Sequence, residues 1–375
     1  MTKIALVGAG WSGRVHALAA AATPGATLVT LSTTSIGSAE EFAAQLQVRP
    51  VNTDALPGKA DVVVLATPPS THASLATAML SKGTPVVIET PLARTLAEAD
   101  EIIATAERFA TSALYAESLL FAPALELAVA RRHQLGALRH LEVRMSLPRP
   151  DWGYQADESV AGTVAGSPSG TVAGGVLFEV GCHALAVALL LAGEDTVDGV
   201  RARVESSRPD GVDDVARVEL RFASGFIATV DVDWFAEVAE RSAQCASDSG
   251  AVRVEFEPHC AVEHDGEVIA LPEPPELPDR RLMDLGYISQ TEGFVSAIAG
   301  RGGKVCPAGF GRAVLELITA AYASAGSDGE EVELPYTGDR SASPMETYRA
   351  AETAAEKTAA EKSPSEQSPG EASPG

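Results

Sequence analysis

Glu179 and His183 stand four residues apart in the run F-E-V-G-C-H-A-L-A. On a helix that spacing places both side chains on one face, so a carboxylate and an imidazole can point together into a cleft. Histidine titrates near neutrality and is suited to take a hydroxyl proton as hydride leaves the adjacent carbon, or to return it in reduction. Glu179 would orient a substrate or raise the basicity of His183; the two also read as a satisfied, partly buried pair with no catalytic task. Near the amino terminus, V-G-A-G-W-S-G-R-V-H-A sets Gly8, Gly10 and Gly13 in G-x-G-x-x-G spacing, after an apolar run and ahead of a helical pattern. Gly8 permits a tight turn, Gly10 lets backbone amides reach a pyrophosphate, and Gly13 lets helix and strand pack closely, with Trp11 and Ser12 at the helix N-terminus. A third stretch, V-V-I-E-T-P-L-A, reads as a buried strand that stops on Glu89 and turns at Thr90 and Pro91. In open α/β sheets that carboxyl edge is where ligands bind.

Two kinds of element must hold these residues. From Lys3 to about Ala116, apolar runs near Ile4, Leu28, Val62, Val86 and Leu114 alternate with helical patterns near Val15, Phe42, Leu75 and Ile102. Such alternation argues for a parallel sheet wrapped by helices. From about Leu138 the period shortens to two, as in V-A-R-V-E-L-R-F and I-A-T-V-D-V-D-W, which read as antiparallel strands with one wet face. The fold class expected is α/β: a dinucleotide-binding domain over residues 1–120, then a substrate-binding α/β domain with a mostly antiparallel open sheet over 121–340. Helical patterns around 293–299 and 313–323 are expected to close the second domain. The Ala-, Glu-, Ser- and Pro-rich tail, residues 341–375, is expected to be disordered.

The totals narrow the function classes. A chain of 375 residues with 46% hydrophobic content is long enough for two domains. With 28 Lys+Arg against 51 Asp+Glu, a formal charge of -23 repels phosphate backbones and anionic membranes, so neither nucleic acid nor a membrane surface is an expected partner. Four cysteines with no C-x-x-C pair suit a reducing compartment. The start lacks the pattern of a signal peptide, and the apolar run at 184–192 is about half of the ~20 residues that cross a bilayer. A soluble cytoplasmic protein is expected.

An NAD-selective site of this type places Asp or Glu about 20 residues beyond the glycines, on the ribose 2′-hydroxyl. Here the second strand ends L-S-T-T-S, with Thr33, Thr34 and Ser35 in place of an acid and no Arg beside them. The cofactor expected is NAD(P), leaning to NADP.

These motifs, with A-T-P-P-S-T-H, A-E-S-L-L-F-A-P-A and G-G-V-L-F-E-V-G-C-H-A-L-A in the same order, resemble the Gfo/Idh/MocA oxidoreductases, the group of glucose-fructose oxidoreductase and inositol dehydrogenase. The likeness covers residues 2–335. It implies a Rossmann domain for the nicotinamide cofactor, a second domain whose open sheet serves substrate binding and often oligomerisation, and an enzyme that interconverts a secondary alcohol and a ketone, or reduces a related C=N bond, on a small polar substrate such as a sugar or cyclitol derivative. It puts Thr67, Pro68, Pro69 and Glu89 by the nicotinamide half, and His16, His72 and Glu117 near cofactor or substrate. As bare residues, His72 reads equally as a helix-terminal histidine bonded to backbone and Glu117 as a helix-start carboxylate. Trp152 and Tyr154 sit in a loop that leads to the cleft, where aromatics stack on a sugar or simply pack the loop.

Two positions depart from the family pattern. Its motif is Glu-Lys-Pro, with the lysine assisting proton transfer and stabilising the oxyanion, and Thr90 replaces that lysine; the family's Asp is replaced by Glu179. Losing one preorganised donor to a developing oxyanion costs about 3–4 kcal/mol. Arg94, Arg144 and Arg149 are the candidate substitutes. Rival readings follow: a non-catalytic dinucleotide- or ligand-binding regulator, or a lyase that uses NAD transiently. No metal is expected, since H-C-A-V-E-H at 259–264 matches no zinc spacing. The charged strand faces at Glu219, Arg221, Asp231 and Asp233 weaken the expectation of a homo-oligomer.

Overall fold

The computed structural model describes residues 1–32, 36–149, 174–207, 211–271, 277 and 279–362. Its first sheet contains β1 (Thr2–Val7), β2 (Ala26–Ser32), β3 (Arg49–Pro50), β4 (Val62–Leu65), β5 (Val86–Ile88) and β6 (Ala113–Tyr115). All neighbours are parallel, in the order β3-β2-β1-β4-β5-β6. The order therefore reverses between β1 and β4, where a doubly wound sheet opens a crevice at its carboxyl edge. Both faces of β4 and β5 are covered, which is why V-V-V-L and V-V-I are unbroken apolar runs. The helix Leu96–Arg108 that leaves this edge starts on a capping box between Thr95 and Glu98.

The second sheet has nine strands: β7 (His140–Pro148), β8 (Val197–Glu205), β9 (Val215–Phe222), β10 (Ile227–Asp233), β11 (Phe235–Ser247), β12 (Gly250–Glu257), β13 (Ala261–His264), β14 (Glu267–Ile269) and β15 (Val332–Glu333). Every pair is antiparallel except β7 with β10. Alternation along β9 and β10 sends Val218, Leu220, Val230 and Val232 into the core beneath helix Gly181–Ala192. The opposite face carries ion pairs between strands: Arg217 with Asp231, Arg144 with Asp233, and Arg221 with Glu331. Arg217, Arg144 and Arg221 on this face are thus each paired within the chain.

Two expectations need correction. The helix at Tyr287–Ile298 does not close the second domain: Phe294 and Val295 pack with Ile4, Leu6 and Val87 of the parallel sheet, and Thr2 Oγ1 donates to Val295 O at 3.3 Å. Its apolar side shares that sheet face with Ala17 and Ala20 of helix Trp11–Ala22. The tail is not disordered throughout, because Pro344–Lys362 is helical and packs on helix Ala308–Gly326. Buried Ser343 and Met345 anchor it, and its Ala, Glu and Lys residues are strong helix formers. Gly326 permits the close approach, since a Cβ there would lie 2.4 Å from Tyr348 O.

Candidate active site

β1 ends at Val7 and the chain turns through Gly8 at φ 110°. A Cβ on Gly8 would lie 2.0 Å from Ala66 O and one on Gly13 would lie 2.4 Å from Gly8 O, so neither position admits a side chain. Gly10 faces open space. There the helix Trp11–Ala22 begins with no side-chain cap and no acidic residue in its first turn. Its free N–H groups and positive dipole end fit a pyrophosphate. Trp11 is 53% exposed, with its ring edge-on to Tyr287 at 6.5 Å, and Ser12 is half-buried beside it. Thr33, Thr34 and Ser35 lie outside the described residues, as do Trp152 and Tyr154.

Thr67, Pro68 and Pro69 follow β4 at the same edge and are half-buried. Thr71 Oγ1 braces this turn between Thr67 Oγ1 at 2.7 Å and Pro68 O at 2.8 Å. His72 is bonded to backbone at both ring nitrogens. It is 0% exposed, with Nδ1 3.1 Å from Pro91 O and Nε2 2.8 Å from Thr67 O. Burial lowers its pKa against the pull of these carbonyls, so a neutral ring ties two turns together behind the cofactor edge.

Glu89 also faces inward. Its Oε1 lies 2.6 Å from His16 Nε2, and its Oε2 accepts the Thr90 N–H at 2.9 Å. Burial pushes the Glu89 carboxyl up, but His16 and the Thr90 N–H outweigh it, so its pKa is below the ordinary value. The carboxylate fastens the strand-end turn to the helix that opens the glycine loop, and the Tyr287 ring meets His16 edge-on at 5.9 Å.

The carboxylate on His183 is Glu117, not Glu179. Nδ1 of His183 lies 2.7 Å from Glu117 Oε2. The helical run is interrupted at Val180, which caps both Val176–Glu179 and Gly181–Ala192. Glu179 thus belongs to the preceding turn, where its backbone O accepts the Cys182 thiol at 3.1 Å. Asp213 holds that turn, taking the N–H groups of Gly175 at 3.0 Å and Leu177 at 2.9 Å and the Tyr322 hydroxyl at 2.6 Å. His183 has a pKa well above its ordinary value: burial pulls it down, and Cys182 and Glu117 more than offset that. Cys182 is itself a neutral thiol pushed up by burial.

None of the three candidate arginines reaches this cluster. Arg94 pairs with Glu346 at 3.3 Å, Arg144 with Asp233 at 3.5 Å and Arg149 with Asp214 at 2.7 Å. A cation that responds to the Glu117 carboxylate is Arg241 of β11, paired with Glu257. Burial lowers the Arg241 pKa, and Tyr287 and Glu117 oppose that. Tyr287 and Arg241 escape sequence reasoning because neither lies in a motif. The signal for Tyr287 is the glycine before it: at Gly286 a Cβ would lie 2.1 Å from Ser118 O, so this helix start is pressed against the turn after Glu117. Glu117, Cys182 and His183 also place their donor atoms within 4.8 Å of one another, the one such set among the described residues.

Comparison with known proteins places this geometry. Residues 2–113 match the model of an oxidoreductase family with an NAD-binding Rossmann fold, and residues 128–253 match the GFO/IDH/MocA C-terminal domain. Inositol 2-dehydrogenase 4 of Saccharopolyspora erythraea is 29% identical over 243 residues, 61% of this chain and 66% of that protein. The match thus spans just under two thirds of that relative. Two solved structures share the fold. GenD2 from gentamicin A biosynthesis, in complex with NAD, has a TM-score of 0.76 at 24% identity over 89% of this chain and 96% of its own. The WlbA dehydrogenase from Bordetella pertussis, in complex with NADH and UDP-GlcNAcA, has 0.74 at 22% over 90% and 98%. With both domain models matched in order along the chain, and a glycine loop and helix-borne histidine facing one sheet edge, the protein belongs to the Gfo/Idh/MocA family of oxidoreductases.

Proposed function

We propose that the protein is an NAD(P)-dependent oxidoreductase that interconverts a secondary alcohol and a ketone on a small polar substrate, a sugar or cyclitol derivative. The observation that carries this reading is the placement of His183, backed by a buried carboxylate, at the strand edge that also holds an uncapped glycine-loop helix. When bound, the nicotinamide supplies hydride transfer. The chain does the rest. Gly8 and Gly13 shape the loop, the N–H groups from Gly10 onward hold the pyrophosphate, and His183 takes or returns the hydroxyl proton. Thr90 offers only a neutral hydroxyl where a lysine would bring charge.

The substrate class is supported by the inositol dehydrogenase relative and by the sugar nucleotide bound to WlbA. A lean to NADP is supported by the absence of an acid in L-S-T-T-S after β2. Titration of nucleotide-free protein with NADH and NADPH, read by cofactor fluorescence and tryptophan quenching, tests the reading, with Trp11 in the loop as a local reporter. Tight binding of either is expected, and failure of every nicotinamide nucleotide to bind sinks it. His183→Ala should retain cofactor affinity within about twofold while turnover falls at least 10²-fold, the scale of a lost general base. Undiminished turnover would remove His183 from the chemistry.

A further inference from the structure

We propose that Glu117 is the positioning residue of this site: it fixes the imidazole of His183 with its proton on Nδ1 and its lone pair on Nε2, facing the substrate. The inference rests on the oxidoreductase reading and names the residue through which its proton transfer is controlled.

Three observations carry it. First, exposure is divided: the Glu117 side chain is 0% exposed and that of His183 is 27%, so the imidazole is the member of the pair that a substrate can touch. Second, the contact is made by Nδ1, at 2.7 Å. An ionised carboxylate only accepts, so Nδ1 must carry the hydrogen and a neutral ring is left with its acceptor on Nε2. Third, Glu117 is itself held. Its Oε1 accepts the Leu119 N–H at 3.3 Å, and with the Gln290 amide turned over, its oxygen stands 3.3 and 3.2 Å from the N–H groups of Glu117 and Ser118 and accepts from both. A carboxylate seated on a backbone turn at the end of β6, with its backbone clamped from helix Tyr287–Ile298, gives the ring one orientation.

In alcohol oxidation the substrate O–H bond breaks and its proton passes to Nε2. A bound oxidised nicotinamide would accept the electron pair of the adjacent C–H bond as hydride, which leaves the carbon a ketone. The imidazolium so formed keeps its Nδ1–H on Glu117, whose charge stabilises it. Other titratable groups facing His183 are Cys182, a neutral thiol, and Glu89, whose carboxylate feels the histidine charge. Tyr115, Tyr287 and Arg241 stand beyond Glu117 and respond to it.

The test is nitrogen-15 NMR of the histidine rings in the full chain saturated with NADH, with His183 assigned by His183→Gln. At a pH where the ring is neutral, a protonated Nδ1 and an unprotonated Nε2 are expected. Glu117→Gln should lower the His183 pKa by at least about one unit, the effect of removing an adjacent opposite charge, and Glu117→Asp should restore part of the shift. A proton on Nε2 in the unmodified protein overturns the proposal even where Glu117→Gln fails to fold, and so does an unchanged His183 titration in a folded Glu117→Gln variant. NADH saturation is measured in the same sample. Absent cofactor binding would strike the oxidoreductase reading, whereas bound cofactor with the wrong tautomer strikes the Glu117 assignment alone.

Discussion

Thr90 stands where the resemblance read from the sequence expects a lysine. Its hydroxyl lies 3.4 Å from Glu89 Oε2 and beside the Cys182 thiol. An ammonium placed there would be drawn to the Glu89 carboxylate and to a developing alkoxide. For an enzyme of the ordinary mechanism, Thr90→Lys should raise turnover by about 10²-fold, the rate equivalent of one oxyanion donor; unchanged or lower turnover would mean chemistry adapted to threonine. Legibility at this scale follows sequence distance. The glycines are readable because their work is local: each answers to backbone within its own turn or the adjacent strand. The Glu117 to His183 contact spans 66 positions, so no local spacing encodes it, and Glu179 stood in for a partner that comes from another domain's strand end.

At the scale of elements, the alternation of apolar runs and helical patterns was sufficient for the parallel sheet and the period-two strands. The interruption at Val180 was not visible, and neither was what holds the turn before it: Asp213, from the loop ahead of β9, gathers the first N–H groups of that turn. Burial pushes the Asp213 carboxyl up to about 6 from 3.8, against the pull of the Leu177 N–H and the Tyr322 hydroxyl. The folded state therefore holds this proton more tightly than the unfolded chain. Its contribution to stability declines as pH rises from about 4 to 6, by about 3 kcal/mol at ~1.4 kcal/mol per pK unit, and is level above that. Asp213→Asn should flatten that slope in urea unfolding at pH 4.5 and 7. It should also cost about 1–3 kcal/mol at pH 7, since an amide presents a donor where N–H groups need an acceptor. An unaltered slope would assign the pH dependence to other groups.

At the scale of the whole molecule, the two domains and the C-terminal helix are one packed body, and the sequence understated the last of these. Among the described residues no helix is long and apolar enough to cross a membrane. Composition alone made residues after 341 look unable to order, because a helix rich in Ala, Glu and Lys shows no core-forming stripe; what orders it is a few contacts at its start. Met345 is buried, Glu346 pairs with Arg94 from the turn after β5, and Asp100 takes both Arg312 and Arg340. Tyr348 meets Tyr322 edge-on at 6.4 Å, and Tyr322 in turn donates to Asp213 beneath the helix that carries His183. The two arginines outweigh burial and hold the Asp100 carboxyl below its ordinary value. The stability it adds is present above the usual carboxylate range and is lost as pH falls through that lowered value. With Asp100 43% exposed, salt screens this cluster and the apolar contacts carry most of the effect. Removing residues 341–375 should therefore destabilise the chain by about 2–5 kcal/mol, the range for losing a buried Met and its neighbours, and lower its melting temperature in low and high salt alike. A truncated chain that melts with the full one would make this helix a passenger; a loss confined to low salt would place its contribution in the Glu346–Arg94 pair instead of in Met345 and the tyrosine pair.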